Sequence, residues 1–134
     1  MSINIVFSFA FNEAKADEPL GCVLIAEDDK CLHATNVYLD SFFSALVAAF
    51  AQSEKGPVTI DVPVEREAIH MERKGLGLTL TFAEGSLTLS DVGAFAQALK
   101  SACIKLISSF PEGVENNSEF DPVRAFIEPP SVGT

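Results

Sequence analysis

The sequence predicts an α+β fold in which one antiparallel sheet of five to six strands carries two helices on one face. Apolar residues that alternate with polar ones indicate strands, whereas apolar residues spaced three and four apart indicate helices with a single apolar face. In chain order these segments read ββ(β)-α-βββ-α. Packing both helices on the same face of the sheet is the simplest layered arrangement for this order.

The first half of the chain begins with a predicted three-strand meander. Large apolar residues at every second position of 3–11 form a period-two strand, and 20–26 is apolar on both faces, as in an interior strand. The charged run 27–30 is the predicted turn to a third strand over 31–37. These three segments therefore account for half of the expected sheet.

Two helices are predicted from apolar residues with helical spacing. The first covers 39–53, is rich in alanine and has Asp40 near its start as a candidate cap. The second covers 90–110, where Ser90 is the predicted N-cap and Asp91 places negative charge at the positive end of the helix dipole. Its broad apolar stripe requires a sheet or another helix to cover it.

The remaining strands lie between the two helices. The pattern of 58–64 indicates a strand, and Pro63, which has no N–H to donate, favours an edge or a bulge. Leucines alternate with threonines over 76–82 and 87–89, which predicts a hairpin leading directly into the second helix. We expect its leucine face to pack on that helix. The charged segment 65–74 is compatible with helix, strand or an exposed connection.

The length of 134 residues predicts one α+β domain over 1–110, followed by a C-terminal extension over 111–134. Proline, glycine, asparagine and glutamate dominate this extension. Only Phe120 and 123–127 have the apolar character to dock on the domain, so we expect partial docking with a loose end.

Charge and composition restrict the classes of partner. The chain carries 19 acidic and 9 basic side chains, a formal net charge of −10, which repels nucleic acid and attracts a basic protein. Its longest apolar stretch, 42–51, is about half of the twenty residues that span a bilayer. The chain has three cysteines, an odd number, with no C-x-x-C spacing, and it has no signal-peptide pattern. Both observations predict a cytoplasmic protein.

The sequence predicts no catalytic, cofactor or metal site. Two histidines are too few for a typical zinc site, and Gly75-Leu76-Gly77 lacks the further residues of a phosphate-binding loop. Cys31 and His33 are two residues apart and would share a strand face, so a small Cys/His-dependent enzyme remains an alternative. A structural thiol beside a surface histidine is the favoured interpretation of this pair.

Acidic segments are the candidate partner-binding surface, because exposed charges steer association with an oppositely charged protein. The densest is the predicted turn at 27–29, which neighbouring loops could extend, and a second series lies in the C-terminal extension. The candidate contact residues are Asp17, Glu18, Glu27, Asp28, Asp29, Glu112, Glu115, Glu119 and Asp121.

In size, acidity, absence of a catalytic motif and acidic stretches such as Glu27-Asp28-Asp29, the chain resembles the small immunity proteins of bacterial polymorphic-toxin and contact-dependent inhibition systems. This resemblance implies a non-enzymatic protein, without a cofactor, that neutralises a cognate basic toxin by occluding its active site. A secretion chaperone or a homodimeric scaffold is the alternative within the binding class.

Overall fold

The structure, a computed structural model, describes residues 3–9, 20–62, 67–83, 85–109 and 120–127. The strands in these ranges are β1 (Ile3–Phe9), β2 (Leu20–Glu27), β3 (Lys30–Tyr38), β4 (Val58–Asp61), β5 (Ala68–Lys74), β6 (Gly77–Phe82) and β7 (Gly85–Leu89). The helices are α1 (Leu39–Gln52), α2 (Val92–Ser108) and α3 (Asp121–Ile127), with one 3₁₀ turn at Ser53–Lys55.

The α+β class and the antiparallel pairing are as predicted, but the single sheet is wrong. In the described ranges, β1, β2 and β3 form a first sheet, and β4 to β7 form a second in sequence order. β3 lies in contact with β7, yet the two strands belong to separate sheets. All neighbouring strands of the two sheets are antiparallel, and a two-residue turn joins β2 to β3, β5 to β6 and β6 to β7, a connection that only antiparallel strands allow.

The first sheet has a regular β1–β2 ladder and an irregularity in β2. Every residue of β1 has a partner in β2, whereas the β2–β3 register shifts between Gly21 and Val23. Gly21 is required here because a Cβ atom at this position would collide with the carbonyl oxygen of Ser8. This close approach of two backbones explains a glycine inside an otherwise apolar strand.

The second sheet places its large apolar side chains on one face and hydroxyl groups on the other. Ile69, Met71 and Leu80 are fully buried on the inner face. On the outer face, Thr79 and Thr88 lie opposite each other, with their hydroxyl oxygens 3.3 Å apart. The leucine and threonine alternation of the predicted hairpin is confirmed from Leu78 onward, but Leu76, predicted as its first strand residue, lies in the turn before β6 and is exposed because it has no core to pack against. The undecided segment 65–74 contains β5.

The arrangement of the helices differs from the prediction of two helices on one face. α1 contacts β2 and β3, which precede it, and also β4 and β5 of the second sheet, while α2 contacts β1 of the first sheet. α1 and α2 therefore each contact the sheet whose strands do not immediately precede them in the chain. The physical reason is that both faces of α1 near its start are apolar: Phe42 packs edge-on against Phe82 and Phe43 against Phe7.

A third helix, α3, was not predicted as a helix. Phe120 and Val123 are completely buried, and α3 contacts both α1 and α2. This part of the C-terminal segment therefore docks on the rest of the chain.

The C-terminal end of α1 is held by a side chain of β5. Arg73 Nη2 donates to the Phe50 carbonyl oxygen at 2.6 Å, and Arg73 Nε donates to Ser53 Oγ at 2.7 Å.

The predicted N-caps of both long helices are wrong. α2 begins at Val92 with Asp91 as N-cap. The Ser90 hydroxyl does not cap the helix because it donates to the Glu27 carboxylate. α1 begins at Leu39, and its N-cap residue Tyr38 makes no side-chain capping bond. Asp40 lies inside the first turn, where Asp40 Oδ1 accepts from the Ser41 N–H at 2.8 Å.

The fourth strand ends earlier than the predicted 58–64, at Asp61, and Pro63 lies outside the described residues. In the ranges that the structure covers, none of the helices combines the length and the apolar character needed to cross a lipid bilayer.

Candidate functional site

The densest acidic turn of the sequence forms the tip of the β2–β3 hairpin. Glu27 lies opposite Lys30, so Asp28 and Asp29 are its two turn residues. Asp28 adopts a left-handed backbone with a φ of 55°, a conformation that aspartate tolerates better than most residues. Both aspartate side chains are exposed. The turn therefore presents two adjacent carboxylates to solvent.

Glu27, the first acidic residue of the run, has a different environment. Only 5% of its surface is exposed, and its Oε1 accepts from the Ser90 N–H at 3.0 Å. Its other oxygen accepts from the Ser90 hydroxyl. The Glu27 carboxylate thus joins the end of β2 to the start of α2, which leaves Asp28 and Asp29 as the carboxylates of this turn that a partner can reach.

The Glu27–Ser90 contact joins the start of α2 to the end of β2, and the β5–β6 turn contacts the same end of α2. Asp91 follows Ser90 and caps α2, its Oδ1 accepting from the N–H groups of Gly93 at 2.8 Å and Ala94 at 3.2 Å. The next residue, Val92, donates its N–H to the carbonyl oxygen of Leu76 at 2.7 Å. Leu76 lies in the β5–β6 turn.

Leu76 is the most exposed large apolar side chain in the described part of the chain, with 82% of its surface accessible. Hydrogen bonds link the β2–β3 turn, the start of α2 and the β5–β6 turn, and we call the exposed residues Asp28, Asp29, Leu76 and Asp91 of these three segments the acidic corner. Exposed Lys30 follows Asp29 in the chain, and exposed Lys74 lies two residues before Leu76. The acidic corner thus combines an exposed apolar side chain with three exposed carboxylates.

The other predicted contact residues do not join the acidic corner in the described structure. Asp121 is exposed in the first turn of α3, where its Oδ1 lies 4.0 Å from Arg124 Nη1. Asp17, Glu18, Glu112, Glu115 and Glu119 lie outside the described residues. Sequence reasoning selected Asp28 and Asp29 as candidate contacts, used Asp91 only as a charge at the helix start, and placed Leu76 in the hairpin strand 76–82. The position of Leu76 between two glycines was the available signal of a turn, where an apolar residue has little to pack against.

Cys31 and His33 lie side by side on the outer face of the first sheet, opposite Ala26 and Leu24. Both are exposed, and neither has a hydrogen-bond partner among the described residues that would orient it. A shallow groove beside this pair is lined by His33 but not by Cys31. Within the ranges that the structure describes, no third group is placed to activate a cysteine nucleophile.

In the described part of the chain, neither the buried Cys103 thiol nor the metal-binding side chains form a reactive or metal-binding site. All three cysteines are free, and Cys103 is buried in α2, where burial raises the pKa of its thiol to about 12. A thiol with so high a pKa stays protonated and is a poor nucleophile. Among the residues that the structure describes, no three His, Cys, Asp or Glu side chains are grouped to hold a metal ion.

Comparison of the chain with protein-family models, with curated proteins and with solved structures finds no match.

Proposed function

We propose that this protein is a cytoplasmic, non-enzymatic binding protein that acts as an immunity protein, neutralising a cognate basic toxin by occluding its active site. The observation that carries the proposal is the acidic corner, which combines the exposed side chain of Leu76 with the exposed carboxylates of Asp28, Asp29 and Asp91. The resemblance in size and acidity to small immunity proteins supports the same function.

The energetics of the acidic corner suit a protein partner. An apolar side chain that is exposed in the free protein contributes about 1.5–3 kcal/mol when a partner buries it fully, and Leu76 is such a residue. The aspartates around it are exposed and contribute mainly to the rate and the selectivity of association with a positively charged surface. A basic pocket with an apolar floor is the complementary surface.

The shape of the acidic corner favours occlusion. It is formed by two hairpin turns and the N-cap of a helix, which lie at the ends of their elements. A projecting surface can enter the concave active site of a toxin and block access to its substrate. The inhibitory action then needs no chemistry from this chain.

The test is protection of bacteria from the protein encoded immediately upstream of this gene, combined with affinity between the two purified proteins. We expect co-expression of this chain to restore growth. Leu76→Ala, and separately Asp28→Asn with Asp29→Asn, should weaken binding at least tenfold. Asparagine is chosen because it tolerates the left-handed backbone at residue 28.

The matched control is Glu54→Gln with Glu67→Gln, which removes the same two charges from exposed positions elsewhere. This control should bind as the wild type does, and raising the salt concentration should slow wild-type association. If both double variants lost affinity equally, the loss would be an effect of net charge and not of the acidic corner. Full binding by the Leu76 and aspartate variants would reject the acidic corner as the contact surface.

A further inference from the structure

The outer face of the first sheet is open to solvent. Its inner face carries buried side chains such as Ile25 and Leu32, and α1 and α2 contact its strands. On the outer face, the side chains of β1 and β3 are exposed, and those of the central strand β2 are half-buried between them. The outward residues are Asn4, Val6, Ser8, Cys22, Leu24, Ala26, Cys31, His33 and Thr35.

This outer face carries no Asp, Glu, Lys or Arg, although these four residue types make up 21% of the chain. Val6 and Leu24 lie side by side on neighbouring strands, and His33 continues the row on β3. The side chain of Val6 is 54% exposed. A surface with apolar side chains at its centre and without charged residues has the composition of the core of a protein–protein interface.

The outer face of the second sheet provides an internal comparison. Its hydroxyl groups pair across strands, as between Thr79 and Thr88, whose oxygens are 3.3 Å apart. Thr59 Oγ1 lies 2.9 Å from His70 Nδ1, and Glu72 adds a carboxylate to the same face. This face therefore carries the polar and charged groups expected of a sheet surface that stays in water, whereas the outer face of the first sheet does not.

We propose that the outer face of the first sheet binds the same face of a second copy, about a two-fold axis that crosses the strands at Leu24. Sheets stacked in this way lie about 10 Å apart. The axis places Val6, Leu24 and His33 opposite their own counterparts, so the interface is self-complementary. The strands of the two copies run in opposite directions, which puts the two acidic β2–β3 turns at opposite ends of the dimer.

Charge identifies a second copy as the occupant. Two chains with a formal charge of −10 repel each other most strongly where acidic side chains meet. The outer face of the first sheet has no acidic side chain, so the repulsion is smallest when the copies meet there. A basic protein gains no attraction from a face without carboxylates. Contact between two copies also removes Val6 and Leu24 from water on both sides.

The size of this face predicts a reversible dimer. It is three strands wide and as long as the seven residues of β1, which gives dimensions of about 14 Å by 23 Å. Interfaces of stable complexes bury about 800 Å² on each partner. The contact is therefore in the small, weak class, and the dimer should form in proportion to protein concentration.

Sedimentation velocity over about 10 μM to about 1 mM, the range in which weak complexes form, tests the dimer. We expect the mean mass of the wild type to rise from 14.3 kDa toward twice that value. Leu24→Lys should remain monomeric, because two ammonium groups would meet on the axis. The matched control Thr79→Lys adds the same charge at a half-buried outward position of the second sheet and should dimerise as the wild type does. Circular dichroism verifies that each variant is folded.

Alkylation of the native Cys31 thiol locates the contact without a substitution on this face. The thiol is exposed in the single chain, and its alkylation rate, followed by peptide mass spectrometry, should fall about fivefold over the same concentrations because only the monomer exposes it. In Thr88→Cys, the introduced thiol lies at an exposed position of the second sheet and should react at a constant rate. A wild type that is monomeric at all concentrations, a dimer that folded Leu24→Lys also forms, or a Cys31 rate independent of concentration would each overturn the proposal.

Discussion

The burial of an acidic side chain in this protein depends on the residues that contact it. Glu27, Asp28 and Asp29 are consecutive carboxylates, yet the first is buried against Ser90 and the other two are exposed. Strand alternation explains the difference in part, since Glu27 is the last inward-facing position of β2. Ser90, one residue before the N-cap, supplies two donors to the buried carboxylate, and buried charge requires such partners.

The buried thiol of Cys103 predicts a loss of stability at alkaline pH. Burial raises its pKa from 9.0 to about 12, so between these values the unfolded chain releases a proton that the folded chain retains. The stabilisation is complete below pH 9 and is lost as the pH rises toward 12. At about 1.4 kcal/mol per pH unit, the loss reaches about 2 kcal/mol near pH 10.5.

Urea denaturation of wild type and Cys103→Ala at pH 7 and pH 10.5 checks this prediction. Lysine and tyrosine titration affects both proteins equally, so the free energy of unfolding should fall by about 2 kcal/mol more in the wild type. An equal fall in both would contradict the assigned cause.

The ends of the helices are held by side chains from distant elements. The C-terminal end of α1 receives the guanidinium of Arg73 from β5, which also stacks 4.4 Å from the centre of the Phe50 ring. A positive charge at this end complements the helix dipole and satisfies a free carbonyl group. Arg73 occupies an inward position of β5, where periodicity would place an apolar residue. This arginine and the other charged residues interrupt the apolar alternation, so the sequence of 65–74 does not predict a strand.

Removal of this contact should destabilise the junction of α1 and β5. Arg73→Ala should lower the free energy of unfolding by about 2 kcal/mol, because two charge-assisted hydrogen bonds are lost and the Phe50 carbonyl loses a donor. Lys74→Ala, at the exposed neighbouring position, should change it by less than about 0.5 kcal/mol. Equal effects of the two substitutions in urea denaturation would show that Arg73 contributes little beyond its charge.

At the scale of the whole molecule, the described elements share one core. The buried apolar residues of both sheets and all three helices belong to a single cluster, which includes Phe42, Leu99 and Phe120. The helix contacts that cross between the sheets join the two halves, and α3 covers a surface shared by α1 and α2. Cooperative unfolding of these elements is the expected consequence.

Phe120→Ala tests whether the C-terminal helix is part of that cooperative unit. Truncating a completely buried phenylalanine should cost about 3–5 kcal/mol, since it leaves a cavity in the core. Far-ultraviolet circular dichroism and near-ultraviolet absorbance should report the same lowered midpoint. The control Arg124→Ala removes only a surface ion pair and should cost less than about 1 kcal/mol. A loss below 1 kcal/mol for Phe120→Ala would show that α3 docks weakly.

The sequence by itself determined the α+β class, most strands, the two long helices and the exposed aspartate turn, because apolar periodicity and turn residues are local signals. Tertiary structure decided the division into two sheets, the helix contacts with both, the docking of α3 and the partners of Glu27 and Arg73. It also joined the β2–β3 turn and the β5–β6 turn to the start of α2. These outcomes depend on contacts between residues distant in the chain, which local patterns do not encode.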